Sequence, residues 1–174
     1  MRKPGNPIES EIVEKYGNRV RLRVCGLCWQ NDSLLMVNHK FLTSGDFWAP
    51  PGGGIEFGQP AQEALASEFR EETAVTVKAG SLQFTCEFIK PPLHAVELFF
   101  EVFHGHGEPA IGNDPESAAS NQIITDVAYL DYDTILKIPV DERHGIFRFA
   151  KTPDELRKLT GFYRLNARNC DFTP

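Results

Sequence analysis

Between Trp48 and Val75 a proline- and glycine-rich loop runs straight into a helix that carries Glu68, Glu71 and Glu72. Spacings of three and four residues put these carboxylates on one helical face, close enough to repel one another. A divalent cation would relieve that repulsion. At about 100° per residue the three glutamates share a sector with Ala61 and Ala64 and border Leu65 and Phe69, whereas Glu63, Ser67 and Arg70 point elsewhere. They therefore do not occupy the most solvated arc. Glutamate spacing alone still permits an ordinary acidic face; the preceding loop decides between the two readings.

The loop reads Trp48-Ala49-Pro50-Pro51-Gly52-Gly53-Gly54-Ile55-Glu56-Phe57-Gly58, after which Gln59 and Pro60 open the helix. Proline suits a first helical position, and consecutive glycines let backbone approach a ligand closely. Loop and helix together resemble the Nudix hydrolase signature, G-x5-E-x7-R-E-U-x-E-E-x-G-U with U a bulky apolar residue. Gly53 takes the place of its first glycine, Glu68 follows the arginine position, Phe69 is the apolar residue, Glu71 and Glu72 are the paired glutamates, and Val75 closes the pattern. The resemblance implies that Glu68, Glu71 and Glu72 bind Mg²⁺ or Mn²⁺, as hard cations prefer oxygen donors.

Three positions depart from the pattern: Gln59 stands for glutamate, Ser67 for arginine and Ala74 for the late glycine. Gln59 and Ser67 retain hydrogen-bonding groups, and their joint neutrality suggests that one ionic contact has been exchanged as a unit. Ala74 requires the helix to leave by a turn without a left-handed glycine. Slower or more metal-dependent chemistry is the expected consequence.

The chain of 174 residues is 41% hydrophobic, enough for one sizeable core and short for two. A single domain over 1-174 is expected, with the family resemblance strongest over residues 18 to 135. The absence of a signal-like segment or long apolar run points to a cytoplasmic protein with no membrane partner. A net charge of −6 disfavours nucleic acid, whose backbone attracts positive charge. The same charge means that a phosphorylated substrate needs cations at its site.

Cys25-Gly26-Leu27-Cys28 has C-x-x-C spacing, but it continues a strand in which Val20, Leu22 and Val24 alternate with Arg21 and Arg23. Residues three apart on a strand face opposite ways, so the two thiols should not share a ligand. Gln30-Asn31-Asp32-Ser33 turns this strand into Leu34 to Asn38 as a hairpin. Strand-like segments follow at Val75 to Val77, Leu82 to Ile89, Ala95 to Phe103 and Ile123 to Leu130, with helices at Ile8 to Tyr16 and Pro153 to Leu159. The fold class expected is α/β, a Nudix-like α/β/α sandwich with a mixed β-sheet.

Outside the signature, Arg19, Arg21 and Arg23 share a strand face; Arg23 is a candidate substrate contact, and a solvated strand edge is the plain alternative. Gly52, Gly53 and Gly54 are the candidate backbone contacts to substrate. The family often recruits a further carboxylate, and Glu97, which shares a strand face with Glu101, is the first choice; Asp114 and Glu116 lie in a long connection, His104 to Asn121, of the kind that shapes specificity. His104 and His106 make an incomplete metal pair. His39, His94 and His144 offer no pattern.

The resemblance implies a metal-dependent hydrolase acting on the pyrophosphate bond of a nucleoside diphosphate linked to another moiety, such as a nucleotide sugar or ADP-ribose. Glu72 or Glu71 would be the general base, with Glu97 or Glu116 as the alternatives the family allows. A catalytically weakened module that binds a nucleotide or metabolite is the alternative, suggested by Gln59 and Ser67. The partner in either case is a small nucleotide, and a homodimer is in keeping with the family.

Overall fold

Strand-forming runs dominate this chain, and the described residues form eight strands, one of them a bare glycine run. The protein is described from a computed structural model covering residues 14, 16–40, 46–112 and 124–165. The expected helix from Ile8 to Tyr16, apart from Glu14 and Tyr16, lies outside the described residues, as do Asp114, Glu116 and Cys170. The elements are β1 (Arg19–Gln30), β2 (Ser33–Lys40), β3 (Asp46–Ala49), β4 (Gly52–Gly54), α1 (Ala61–Thr73), β5 (Thr76–Lys90), β6 (Leu93–His106), β7 (Ile124–Asp131), α2 (Tyr132–Lys137), a 3₁₀ turn (Gly145–Arg148), α3 (Pro153–Arg157) and β8 (Gly161–Leu165).

The strands form one mixed sheet in the order β3-β2-β1-β6-β5-β8, with β4 paired to β1 and β7 to β2. β1 and β6 run parallel, as do β5 and β8. Alternation sends side chains to two faces, and each face has its own core. Val24, Cys28, Leu35 and Phe100 pack with Ala64, Leu65 and Phe69 of α1. Cys25, Leu27, Met36, Phe84 and Phe99 pack with Ile135 of α2, Ile146 and Phe147 of the 3₁₀ turn and Leu156 of α3. Helix, sheet and helix thus form the expected three layers. Cys25 and Cys28 fall in opposite cores, and with Cys86 they are buried free thiols.

The expected hairpin forms, with Trp29 opposite Leu34 and Gln30 opposite Ser33. The two segments expected on either side of residue 80 are one long strand, β5, whose register slips three times against β6. The glycine run, read as loop, is a short strand antiparallel to β1. Its backbone pairs even though glycine contributes no side-chain packing to a strand.

β1 holds a second surprise. It is central, not an edge, and over its first half the apolar face is the bare one: Val20 is 62% and Leu22 46% exposed. α1 begins to cover this face only at Val24. Arg21 and Arg23 point to the other face and are half-buried, with Arg21 also stacking its guanidinium 3.9 Å from the Tyr16 ring centroid.

The end of α1 also corrects the sequence reading. Ala74 itself adopts the left-handed conformation, φ 58°, and its N–H donates to the Arg70 carbonyl. A left-handed alanine costs about 1–2 kcal/mol, part of which a glycine would return as unfolded-chain entropy. Ala74→Gly is therefore expected to stabilise the protein by about 0.5–1 kcal/mol, raising Tm by roughly 1–4 °C. An unchanged or lower Tm in thermal denaturation would show that the turn is unstrained.

Candidate active site

The glycine strand and α1 meet face to face. Pairing of β4 with β1 sets Arg23 opposite Gly54, Val24 opposite Gly53 and Cys25 opposite Gly52. The pair is extended by hydrogen bonds from Gly26 N–H to Pro51 and from Ile55 N–H to Leu22. α1 packs over β4 through its glutamate-bearing side. A β-carbon built on Gly53 would overlap the Glu68 carboxylate, and one on Gly52 would overlap the Val24 carbonyl. Glycine here lets a charged side chain lie directly on strand backbone.

One turn along, Glu72 Oε2 accepts a hydrogen bond of 2.9 Å from the Gly52 N–H, while its Oε1 lies 3.4 Å from His39 Nε2. Glu68 and Glu72 thus converge on adjacent glycines, and Glu71 is half-buried on the same helix. Among the described residues no three His, Cys, Asp or Glu side chains stand close enough to hold a metal ion as placed. The donor set is nonetheless of the kind a hard divalent cation prefers, carboxylate oxygens on successive turns of one helix.

Arg23 closes the site from β1. Its Nη2 donates to the Gly52 carbonyl at 3.3 Å, and its Nε pairs with Glu97 Oε1 at 3.3 Å. Burial would lower the Arg23 pKa, but the Glu97 charge, with Glu72 and Glu68 nearby, outweighs it and raises the value. Glu97 sits opposite Arg23 in the parallel β1/β6 ladder and is only 7% exposed. Its second oxygen, Oε2, receives His144 Nε2–H at 3.0 Å. Burial alone would raise the Glu97 pKa; the His144 and Arg23 contacts reverse this and bring it to about 2.

Of the residues singled out from sequence, Glu68, Glu72, Gly52, Gly53, Arg23 and Glu97 are brought together, with Gly54 beside Arg23. Glu101 faces the same way as Glu97 but lines a separate hollow with Trp29 and Arg157. His104 is spent on the Gly107 carbonyl at 2.9 Å. Gln59 accepts from the Glu56 N–H and Ser67 from Arg70 Nη2. Each therefore bonds a near neighbour in sequence. Of the aromatic residues around the signature, Phe57 is fully exposed.

Two residues were missed. His39 reaches Glu72 from β2, and His144 reaches Glu97 from the N-cap of the 3₁₀ turn. Neither carries a local signal, since each contact joins segments far apart in sequence.

Beyond β6 the chain turns back over the end of α1. Ala110 N–H donates to the Thr73 carbonyl and Gly112 N–H to the Glu72 carbonyl, both at 3.0 Å. These are carbonyls that a helix end leaves without an intrahelical partner. The segment expected to shape specificity is thus anchored, at its root, to the glutamate helix.

A mixed sheet thus lies between helical layers, with a glutamate helix packed on a glycine strand. The profile of the NUDIX domain matches residues 19–149, and the chain belongs to that family. An ADP-ribose pyrophosphatase from Methanocaldococcus jannaschii is 28% identical over 97 residues, 55% of this chain and 57% of that protein. The chain thus matches little more than half the length of this curated relative. A NUDIX hydrolase from Nitrosomonas europaea superposes with a TM-score of 0.63 at 18% identity, covering 74% of this chain and 83% of that one. An ADP-ribose pyrophosphatase from Streptococcus suis gives a TM-score of 0.57 at 16% identity, covering 82% and 98%. At such identities the superpositions establish the fold alone. Nudix hydrolases generally use divalent metal ions. Among the described residues no helix is long and apolar enough to cross a membrane.

Proposed function

We propose that this chain is a metal-dependent hydrolase that cleaves the pyrophosphate bond of a nucleoside diphosphate joined to another group, with ADP-ribose the first substrate to test. The observation that carries the reading is the convergence of Glu68 and Glu72 on adjacent glycines of β4. The ADP-ribose pyrophosphatase relative supports the choice of substrate.

Glu68, Glu71 and Glu72 would hold Mg²⁺ or Mn²⁺. When bound, the cation supplies charge neutralisation at the pyrophosphate oxygens and lowers the pKa of water. The chain's own residues bind and orient. Gly52, Gly53 and Gly54 let phosphate approach the strand backbone, and the Arg23 fork offers N–H donors to an oxyanion. Glu72 accepts the proton of the attacking water, with Glu71 as the alternative. Glu97, a committed carboxylate with a lowered pKa, is a weak base and serves to hold Arg23.

The test is product analysis of a panel of ADP-ribose, a UDP-sugar and NADH, with Mg²⁺, Mn²⁺ or chelator. Water added across the ADP-ribose pyrophosphate yields AMP and ribose 5-phosphate, expected only with metal. Binding of a panel member without turnover would convert the reading to a metabolite-binding module; neither binding nor turnover would end both.

A further inference from the structure

Behind the glutamates runs a continuous chain of polar contacts that joins five separate parts of the sequence. His144 contacts Glu97, Glu97 pairs with Arg23, Arg23 bonds the Gly52 carbonyl, and the other side of the same residue, the Gly52 N–H, bonds Glu72. The direction of the first link is set by geometry. His144 Nδ1 accepts the Ile146 N–H at 3.3 Å, so that nitrogen carries no proton and Nε2 must be the donor to Glu97. His144 is itself clamped: its N–H donates to the Trp48 carbonyl and the Trp48 N–H to the Glu142 carbonyl, both at 2.8 Å. The Phe99 ring meets it edge-on at 5.5 Å.

This arrangement does something specific to Arg23. With one oxygen held by His144, Glu97 is not free to swing and chelate both ends of the guanidinium. It meets Arg23 through Nε and Nη2 turns to Gly52, which holds the guanidinium against the glycine strand within range of the Glu72 and Glu68 charges. An arginine fixed in this way meets an oxyanion without first losing side-chain freedom.

We propose that His144 is a positioning residue for phosphate recognition, acting through Glu97 to orient Arg23. The inference deepens the pyrophosphatase reading and rests on it. His144→Asn keeps an acceptor suited to capping the 3₁₀ turn but is too short to reach Glu97; His144→Gln carries a donor as far out as Nε2. With ADP-ribose and Mn²⁺, His144→Asn is expected to raise KM about tenfold, the worth of one charged hydrogen bond, with kcat nearly unchanged. His144→Gln should restore most of the loss. In an Arg23→Ala background His144→Asn should add nothing. Without substrate or metal, the Arg23 Nε–H resonance should exchange with solvent faster in His144→Asn than in the native protein.

An equal rise in KM with or without Arg23, or unchanged Nε–H exchange, would overturn the positioning role. If the native protein turns over no panel member, the pyrophosphatase reading fails instead, and the exchange measurement still judges the link between His144 and Arg23. Should His144→Asn not fold, a folded His144→Gln with native exchange supports the proposal, and one with fast exchange refutes it.

Discussion

Glu72→Gln is expected to cut metal-dependent turnover of ADP-ribose by about 10²–10⁴-fold, the usual worth of a positioned acid or base, while leaving the fold intact. Glutamine is nearly isosteric and still accepts the Gly52 N–H through its carbonyl oxygen. What it removes is the negative charge and the basic oxygen beside His39. Mn²⁺ binding, followed by electron paramagnetic resonance, should weaken in parallel. A variant that retains most of its activity would place both the base and the metal elsewhere.

Gly53→Ala should give the second-largest effect, about 10²-fold on kcat, the typical cost of displacing a catalytic group by about 1 Å. The added methyl group meets the Glu68 carboxylate, the far end of a flexible side chain. The side chain can yield, so Tm should change little while Glu68 leaves the position its function requires. Gly52→Ala is the instructive contrast, because its methyl group meets the Val24 carbonyl, which is backbone that cannot yield. It should lower Tm as well as activity. Loss of stability in Gly53→Ala without loss of turnover would remove Glu68 from the site.

The glutamate helix was legible because helical period is a local property. Its inner contacts at Ala64, Leu65 and Phe69, and the half-burial of Glu68, Glu71 and Glu72, follow from spacing alone. The opposite faces of Cys25 and Cys28 follow equally from strand period. Period does not say which face is covered, however. The alternation of Val20 and Leu22 with arginines therefore says nothing of their being bare, since cover depends on where α1 ends up lying. β4 was hidden because glycine signals turns, and here it pairs as strand by backbone alone. Ala74 reads as a helix end without a left-handed glycine, and the left-handed residue there is the alanine itself. The partners of Glu97 were beyond reach for a different reason: Arg23 is set opposite it by a parallel ladder, and His144 arrives from the far end of the chain.

The closing of the α1 carbonyls by Ala110 and Gly112 bears on how this chain can be diversified. Residues 107–112 are, in effect, the last turn of the glutamate helix supplied from elsewhere, and a side chain at Gly112 would collide with the Glu71 carbonyl. Lengthening or shortening that stretch would unseat the helix end before it altered any substrate contact. A graft meant to leave the glutamates in place must keep the bonds that Ala110 and Gly112 make to the helix end.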